Sequence, residues 1–485
     1  MTETRPIELE LKLEAARDDL EALAGRLAVA GFQLQQHEQR SIYFDSPGNA
    51  LRTAGLSLRI RESAGRRIQT IKAEGVQLGG LFARPEWETV VSDDTPVIDD
   101  ATGPLRSMLP ENTLNALAPV FTISVGRRSG TFAKDGAPIE AAVDLGQIEA
   151  GERMAHIAEI ELELKEGPPA AVFAIARSLA DVAPVKLGVL AKSERGYRLL
   201  DGSAHKVAKA VRPVFGSSPS AAEMFAAIVA ACLRHFRLNE DLVTGIRDAE
   251  ALHQARVALR RLRSALSIFK PIILDDRFEH LRIQLRWLAG TLGDAREIDV
   301  LVAAGESAAS IDDARQAAYA NVEDALGSAR ARALMLDLVE WTAIGRWRVD
   351  PAEPSATEQP AQIFAIAALE RLRRKLKKRG ANLAELDDDA RHQVRIEAKK
   401  LRYAAEFFAD LFADGKAKRR AKRFVAAVQG LQERLGDLND IANAPALRAR
   451  LGLPVQPGPG PQIQRRIKQA AQAYEELIGR KRFWR

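Results

Sequence analysis

The chain has 485 residues, of which 46% are hydrophobic and 28% are charged, the composition of a soluble globular protein that is too long for one ordinary domain. It lacks any run of roughly 18 uncharged apolar residues that could span a bilayer. Its charged start does not resemble a secretory signal, and its single cysteine, Cys232, excludes an internal disulfide, so we expect a cytoplasmic protein.

The net charge of +6 is distributed unevenly. The segment 1–200 carries 23 Lys and Arg against 29 Asp and Glu, whereas the rest of the chain is strongly basic. A basic half favours an anionic partner, such as nucleic acid, a membrane surface or polyphosphate. An acidic half with an internal ligand site favours a bound metal ion instead.

Alternating apolar and polar residues predict strands through the segment 1–200. The period-two runs are Ile7–Leu13, Leu56–Arg61, Ile68–Lys72, Arg84–Val91, Phe121–Arg127, Ile139–Asp144 and Ile157–Lys165. Helical spacing predicts helices at Glu14–Ala30 and Pro169–Val182. Strands in this number favour an antiparallel barrel with flanking helices, and hence an α+β fold for this part of the chain.

A linker, Asp201–Ser220, precedes a second region of different composition. From residue 221 to 485, Ala, Leu and Arg dominate with helical periodicity, which predicts an all-α region. The proline-containing segment Val349–Pro360 divides this region into halves of about 221–348 and 361–485.

The two helical halves contain the same motif with the same internal spacing. The residues are His253, Arg256, Arg260 and Arg263 in the first copy and His392, Arg395, Lys399 and Arg402 in the second. A Leu-Gly-Asp sequence follows each motif, at 292–294 and at 435–437. This repeat predicts two similar helical bundles. Each set of four lies on one helix face and forms a row of cations suited to a linear polyanion.

In the acidic part of the chain, the predicted strands carry nearly pure acid or pure base on one face. Carboxylates alone inside a barrel would be destabilised through desolvation by on the order of several kcal/mol. A divalent cation would stabilise them, and oxygen ligands favour Mg²⁺ or Mn²⁺. Buried Lys and Arg would in turn be stabilised by phosphate oxygens. The combination predicts a site for a metal ion and a polyphosphate.

The ordered set of charged motifs resembles the CYTH domain of the triphosphate tunnel metalloenzymes. The matching residues are Glu8, Glu10 and Lys12, Arg59 and Arg61, Thr70 and Lys72, Arg127, Asp144, Glu161 and Glu163, and the closing segment Lys192-Ser193-Glu194-Arg195-Gly196-Tyr197. This resemblance covers the segment 1–200 and implies an eight-stranded antiparallel tunnel that binds a triphosphate lengthwise with Mg²⁺ or Mn²⁺.

The resemblance also implies two groups of site residues. The metal ligands would be Glu8, Glu10, Asp144, Glu161 and Glu163. The catalytic cations that neutralise the triphosphate would be Lys12, Arg59, Arg61, Lys72, Arg127 and Lys192. A water molecule would then attack the terminal phosphorus in line with the departing phosphate.

The helical region resembles the CHAD domain, the conserved-histidine α-helical domain, from about residue 220 to 450 or beyond. Both histidine motifs and both Leu-Gly-Asp sequences fit it. The resemblance implies a basic cavity that binds inorganic polyphosphate through the eight motif residues. Nucleic acid is a less favoured partner, because no aromatic residues are interleaved with cations as in stacking platforms. We interpret the C-terminal cluster Arg480–Arg485 as a solvated tail.

The whole chain therefore resembles CYTH–CHAD fusion proteins. It is predicted to hydrolyse inorganic triphosphate, or a short polyphosphate or nucleoside triphosphate, and to bind polyphosphate, with a cytoplasmic location at polyphosphate granules. One alternative is an adenylate cyclase of the same barrel family, which would form cyclic AMP and pyrophosphate from ATP. The other is a non-catalytic polyphosphate-binding scaffold, against which the retained carboxylates argue.

Overall fold

The computed structural model describes residues 8–100, 102–134, 136–306, 308–351, 354–412, 414–454 and 460–485. The chain forms two compact units. The first contains the described residues up to Ala208 together with Arg237–Ile246 and Ala325–Ile344, and the second contains Lys209–Phe236, Arg247–Asp324 and Gly345–Arg485. The first unit therefore takes two short helical pieces from the helical half of the sequence.

The described part of the first unit contains an antiparallel sheet of eleven strands. The strands are β1 Glu8–Ala15, β2 Gln35–Asp45, β3 Leu56–Ser63, β4 Arg66–Ala73, β5 Val76–Leu78, β6 Leu81–Arg84, β7 Glu86–Val91, β8 Ala118–Lys134, β9 Ala137–Ala150, β10 Arg153–Leu164 and β11 Val185–Leu187. Their order is β5-β6-β1-β10-β9-β8-β2-β3-β4-β7, with β11 paired to β1. This sheet, followed by an all-helical region, confirms the predicted fold class.

The two ends of the sheet are joined by the chain itself. Strand β6 pairs with β1 and strand β7 pairs with β4, yet only Pro85 separates β6 from β7. The backbone N–H of Ala73 donates to the carbonyl of Pro85 at 3.1 Å. If β6 and β7 are counted as one bent strand and the three-residue strands β5 and β11 are set aside, the curled sheet has the predicted eight strands.

Two local predictions in this unit need correction. The helix expected at Glu14–Ala30 begins only at Leu20, because β1 continues to Ala15 and Glu14 pairs with Glu159 of β10. Strand β2 was not predicted, since its first half is a run of polar residues without period-two alternation.

The helices described in the two units are mostly long after residue 220 and short before it. They are α1 Leu20–Val29, α2 Ala50–Thr53, α3 Leu105–Met108, α4 Glu111–Leu114, α5 Ala170–Ala180, α6 Lys192–Leu200, α7 Ala221–Ile246, α8 Ala249–Ile273, α9 Phe278–Ala303, α10 Ala309–Gly327, α11 Ala329–Ile344, α12 Arg346–Val349, α13 Pro354–Glu358, α14 Ala361–Arg379, α15 Asp388–Phe408, α16 Gly415–Arg450 and α17 Pro461–Gly479. Among the described residues, none of these helices has the length and apolar character needed to cross a membrane.

Alternation sorts the strand residues between a packed outer face and an inner face. On β1 and β10, Leu11, Leu13, Ile160 and Leu162 are buried at 0–2% exposure, and α5 packs against β10. The intervening charged residues lie on the opposite face of the same strands. The apolar core therefore holds the sheet from outside and leaves the charged side chains to the interior.

The second unit repeats one helical arrangement. Helix α8 packs on α9 and helix α15 packs on α16, while α8 and α15 contact each other. The repeat includes the helix starts, because the Asp248 and Asp387 side chains cap α8 and α15 and each accepts a 2.7 Å hydrogen bond from a backbone N–H. The two caps precede His253 and His392 by the same distance along the sequence, so they belong to the repeated unit.

The C-terminal cluster is only partly a solvated tail: Arg480, Lys481 and Arg485 are exposed, whereas its two aromatic residues are packed. Phe483 and Trp484 are 1% and 2% exposed. Their rings lie 5.8 and 5.1 Å from the ring of Phe424, measured between centroids. This aromatic cluster fixes the tail and holds the neighbouring basic residues against the helices.

Candidate functional site

The curled sheet of the first unit encloses a cavity of about 470 Å³. Most of the side chains that line it are charged, and they come from nine strands, α6 and the residues beside them. The lining residues are Glu10, Lys12, Tyr43, Ser57, Arg59, Arg61, Thr70, Lys72, Arg84, Glu86, Glu88, Arg127, Glu140, Ala142, Glu161, Glu163, Lys165, Ala191, Lys192 and Ser193. Such a wall suits a small, highly charged ligand.

One wall of the cavity, which we call the acidic wall, carries Glu10, Glu161 and Glu163, and Glu161 lies at its centre. Its carboxylate forms ion pairs with Lys12, which lies opposite it on β1, with Lys192 at 2.8 Å and with Arg127 at 2.7 Å. Burial would raise the pKa of Glu161, but Lys12, Lys192 and Arg127 hold it well below its ordinary value. Glu161 is therefore an anionic carboxylate at the edge of the cavity.

Two further carboxylates lie beneath Glu161, out of contact with solvent. Asp144 and Glu159 are 0% and 2% exposed and pair across β9 and β10. Asp144 binds the guanidinium of Arg127 through two hydrogen bonds of 2.7 and 2.6 Å. Burial would raise the pKa of Asp144, but Lys192 and Arg127 lower it. The buried pair forms a negative floor that holds cations against the cavity.

The opposite wall carries the arginines of β3. Within the part of the chain that the structure describes, Nε of Arg59 is buried and has no hydrogen-bond partner. The neighbouring charge of Arg59, followed by burial, lowers the pKa of Arg61 to about 10. Arg61 meets Glu88 at 3.2 Å and Lys72 meets Glu86 at 2.6 Å. Two guanidiniums this close would be stabilised by an anion between them.

Helix α6 closes the acidic end of the cavity. Lys192 at its first turn binds Asp144 at 2.7 Å as well as Glu161 and Glu159. Burial would lower the pKa of Lys192, but these carboxylates raise it above its ordinary value. Arg195, one turn later, donates to Glu159 at 2.9 Å. The closing segment that was singled out in the sequence thus supplies cations to the buried carboxylates.

The last two residues of that segment fix the helix in place. A Cβ added to Gly196 would lie 2.2 Å from the ring of Phe121, so only glycine allows α6 to approach β8 this closely. The hydroxyl of Tyr197 donates to Asp45 at 2.6 Å. These contacts explain why Gly and Tyr follow the basic residues.

All six predicted catalytic cations line the cavity. Of the predicted metal ligands, Glu10, Glu161 and Glu163 line it and Asp144 lies beneath it. The side chain of Glu8 lies outside the described residues. Tyr43 was missed because β2 was not predicted, whereas Arg84, Glu86, Glu140, Glu159 and Lys165 lie on predicted strands at the right alternation but were not selected.

The carboxylates fit a divalent metal ion. One oxygen each from Asp144, Glu159 and Glu161 lie within 4.8 Å of one another, and an oxygen-only ligand set suits Mg²⁺ or Mn²⁺. Charge supports the same conclusion. The lining has eight Lys and Arg and six Glu, and with the buried Asp144 and Glu159 and the Arg195 that binds Glu159 the net charge is only +1, so a polyvalent anion would need additional positive charge.

The predicted cations of the second unit come together where α8 contacts α15. Burial first, and then the charges of Arg395, Arg260, Arg256 and Arg402, lower the pKa of Lys399 to about 7. Arg260 donates through Nε to the hydroxyl of Tyr403 at 2.6 Å. The structure therefore joins cations of both motif copies into one cluster, which we call the α8/α15 cluster: Arg256, Arg260, Arg395, Lys399 and Arg402.

Several nitrogens of this cluster lack protein partners. Among the described residues, Arg256 Nη1, Arg395 Nε and Arg402 Nε are buried without a hydrogen bond. Burial, followed by the charge of Arg260, lowers the pKa of Arg256 to about 10. Buried donors without partners are costly unless a ligand satisfies them. The cluster thus has the properties of an anion site.

The remaining motif residues occupy different surroundings. Burial, followed by the charge of Arg296, lowers the pKa of His253, and burial with Arg286 and Arg282 lowers the pKa of Arg263. His392 makes a 2.5 Å hydrogen bond through Nδ1 to the side-chain oxygen of Asn439. That bond orients His392. The charges that act on Arg263 are those of α9 and not those at the centre of the cluster.

The repeated Leu-Gly-Asp sequences make room for these arginines. A Cβ at Gly293 would lie 2.8 Å from Arg256 Nη1, and one at Gly436 would lie 3.9 Å from Arg395 Nε. In both copies the glycine of the second helix faces the arginine of the first. In each copy, the histidine motif and the Leu-Gly-Asp sequence therefore lie on different helices and contact each other.

Comparison with known proteins identifies both regions. Residues 6–197 match the CYTH domain model and residues 227–449 match the CHAD domain model. An inorganic triphosphatase from Haemophilus influenzae is 30% identical over 177 residues, which cover 35% of this chain and 49% of that protein. The chain thus spans about half the length of this curated relative.

Two solved structures are also similar. The CHAD domain from the plant Ricinus communis is 30% identical, with a TM-score of 0.44, over 56% of this chain and 91% of that chain. A Hippeastrum protein, described as a putative adenylyl cyclase with a dominant triphosphatase activity, is 18% identical, with a TM-score of 0.32, over 39% of this chain and 95% of that one. On its two domain matches, the chain belongs to the proteins that join a CYTH domain to a CHAD domain.

Proposed function

We propose that the first unit hydrolyses inorganic triphosphate with Mg²⁺ or Mn²⁺ and that the second unit binds inorganic polyphosphate. The observation that carries the hydrolase proposal is the opposition of two walls in one cavity. Arg59 and Arg61 face the carboxylate Glu161, and all three line the same 470 Å³ space. The similarity to an inorganic triphosphatase supports the same substrate class.

The residues divide the work between the two walls. Arg59, Arg61 and Lys72 would bind the phosphate oxygens and hold the triphosphate lengthwise in the cavity. Glu10, Glu161 and Glu163, with Glu8, would hold the metal ion, which supplies charge neutralisation at the phosphates when bound. The deeper Asp144 would position Arg127 beside them.

The cations of the acidic wall would act on the reacting end. Lys12, Arg127 and Lys192 are held by Glu161 and Asp144 beside the cavity, so they can stabilise the charge that spreads over the phosphoryl oxygens during hydrolysis. A water molecule would attack the terminal phosphorus in line, and the departing group would be pyrophosphate.

Product analysis tests the substrate and separates the alternatives. The full chain would be given inorganic triphosphate, ATP or a short polyphosphate, each with Mg²⁺ and with Mn²⁺. We expect orthophosphate and pyrophosphate from triphosphate at the highest kcat/KM. Formation of cyclic AMP from ATP would show that the first unit is a cyclase and not a hydrolase. If no substrate gave a product, the non-catalytic scaffold would be the remaining interpretation.

Polyphosphate binding by the second unit is supported by the buried donors of the α8/α15 cluster. Arg256, Arg395 and Arg402 each have a buried nitrogen that a phosphate oxygen could satisfy. The Arg256→Gln/Lys399→Met variant should bind inorganic polyphosphate at least about tenfold more weakly, which corresponds to about 1.4 kcal/mol. Equal binding by this variant would remove the cluster from the proposed site.

The same variant tests the proposed location at polyphosphate granules in the cytoplasm. A fluorescently labelled full chain should follow the granules, and the variant should associate with them less. Removing residues 221–485 would be a poor test, because the first unit includes Arg237–Ile246 and Ala325–Ile344. Granule association that the variant retains undiminished would contradict the proposal.

A further inference from the structure

A second basic cavity, which we call the tail cavity, lies beside the C-terminal residues of the second unit. Its volume is about 410 Å³. Helices α14, α16 and α17 and the chain after α17 line it. Six of its eight lining residues are cations, and none of them belongs to the α8/α15 cluster: Arg373, Arg420, Arg480, Lys481, Arg482 and Arg485.

Two cations of the tail cavity, Arg482 and Arg485, are held in position. The adjacent Phe483 and Trp484 are buried in the aromatic cluster, and Trp484 Nε1 donates to Glu370 at 3.1 Å. Glu370 also binds Arg482 at 2.8 Å and Arg485 at 2.9 Å. The order of a basic segment is thus established before any ligand binds, which lowers the entropic cost of binding.

The positive charge of the tail cavity is only partly neutralised by the neighbouring Glu370. Over the described ranges, no ion pair reaches Arg373, Arg420, Arg480 or Lys481. The charge of Arg420 also acts on Asp414, but the carboxylate of Asp414 caps α16 through hydrogen bonds from backbone N–H groups.

Arg373 shows the same deficit at the wall of the cavity. Its Nη2 donates to the carbonyl of Ile478, and its Nε is buried without a partner among the described residues. Burial and the charge of Arg482 lower its pKa. A group that is partly desolvated next to like charges is stabilised when an anion arrives.

We propose that the tail cavity binds a segment of linear polyphosphate, as an anion site separate from the α8/α15 cluster. Arginines offer planar forks that match phosphate oxygens. The adjacent rings of Phe483 and Trp484 are buried, so they offer no face on which nucleic-acid bases could stack. The proposal takes its ligand class from the proposed function but depends on different residues.

The test uses the full chain in an Arg256→Gln/Lys399→Met background, so that the α8/α15 cluster is weakened. Arg420→Gln/Arg480→Gln/Lys481→Gln removes three cavity cations that do not bind Glu370. The matched control is Lys418→Gln/Arg419→Gln/Lys422→Gln, which removes three cations of α16 outside the cavity. Binding of medium-length inorganic polyphosphate is measured by calorimetry, and thermal unfolding checks that the variants are folded.

We expect the cavity variant to bind polyphosphate about tenfold or more weakly and the control by less than about twofold, at one ionic strength. Equal losses in the two variants would overturn the proposal, because charge alone would then account for binding. A single-stranded RNA whose binding only the cavity variant loses, with polyphosphate unaffected, would also overturn it in favour of nucleic acid. Failure of the α8/α15 cluster would appear separately, as a background variant that binds as tightly as the original chain.

Discussion

Arg127 and Asp144 lie opposite each other on β8 and β9, and their side chains form a two-bonded ion pair at 2.7 and 2.6 Å. Asp144 is fully buried, whereas Arg127 reaches the cavity and also binds Glu161. Because both oxygens of Asp144 already accept hydrogen bonds from Arg127, this carboxylate acts on the cavity mainly by positioning a cation.

Asp144→Asn should therefore lower kcat and raise KM for triphosphate, with a combined loss of about 10²-fold in kcat/KM, a size common when a positioned charge is disturbed. The metal concentration for half-maximal rate should change less than in Glu161→Gln. Glu149→Gln, an exposed change on the same strand, is the control. A variant with an unchanged KM but a much higher metal requirement would make Asp144 a metal ligand instead.

Polyphosphate binding should weaken as pH rises above neutrality. The pKa of Lys399 in the free protein is about 7, so its side chain is mostly neutral above that pH, and a bound polyanion would raise the pKa. Binding then takes up a proton, and the affinity should fall by at most about tenfold per pH unit between about pH 7 and the ordinary lysine range. Calorimetry in buffers of different ionisation enthalpy measures that proton.

Lys399→Met should abolish this part of the pH dependence. Lys400→Met is the matched control, since Lys400 neighbours Glu397 at 3.6 Å and is not among the main charges that lower the pKa of Lys399. An affinity of the original chain that stays constant from neutral to alkaline pH would contradict the assignment of Lys399 to the site.

The two Leu-Gly-Asp glycines should differ in their sensitivity to substitution. Gly293→Ala places a methyl group 2.8 Å from Arg256 Nη1, so Arg256 must move, whereas Gly436→Ala leaves 3.9 Å to Arg395 Nε. Because a flexible side chain yields easily, both variants should remain folded. We expect Gly293→Ala to weaken polyphosphate binding several-fold and Gly436→Ala to have little effect, as measured by the same calorimetry; the reverse order would refute the contact.

Gly196→Ala should destabilise the first unit and reduce its activity. The new methyl group would overlap the buried ring of Phe121, and such overpacking costs about 1–3 kcal/mol. Helix α6 carries Lys192, so hydrolysis should fall as well. Gly25→Ala in α1 is the control, because nothing lies within 4 Å of its Cβ and the change should stabilise the helix by about 0.5–1 kcal/mol. Urea unfolding measures both, and equal midpoints would contradict the packing argument.

Much of the cavity wall could be predicted because strand alternation fixes the face of each residue. Glu10 and Lys12, and likewise Arg59 and Arg61, must share a face once the strand is assigned. Whether a residue on the inner face lines the cavity or lies beneath it could not be predicted in the same way. Glu159 lies two positions from Glu161 on the same face, yet register places it opposite Asp144, beneath the cavity. That register depends on pairing between distant strands.

The failures have similar physical causes. Glu14 was assigned to a helix because the spacing of the leucines that follow extends backwards, but pairing with β10 and β11 keeps it in a strand. The C-terminal cluster was interpreted as a solvated tail, which holds for its exposed cations but not for Phe483, which packs against Phe412 and Phe424 from much earlier in the chain. Neither contact has a local signal in the sequence.

The most direct test of the central claim is the rate of phosphate release from inorganic triphosphate by the full chain and by Glu161→Gln, with and without Mg²⁺ or Mn²⁺. Glu152→Gln, at an exposed turn before β10, controls for the loss of a carboxylate. We predict metal-dependent release that Glu161→Gln lowers by about 10²-fold or more and that Glu152→Gln leaves unchanged. Release that continues without added metal in the presence of a chelator, or that Glu161→Gln retains, would contradict a metal-dependent triphosphatase in this cavity.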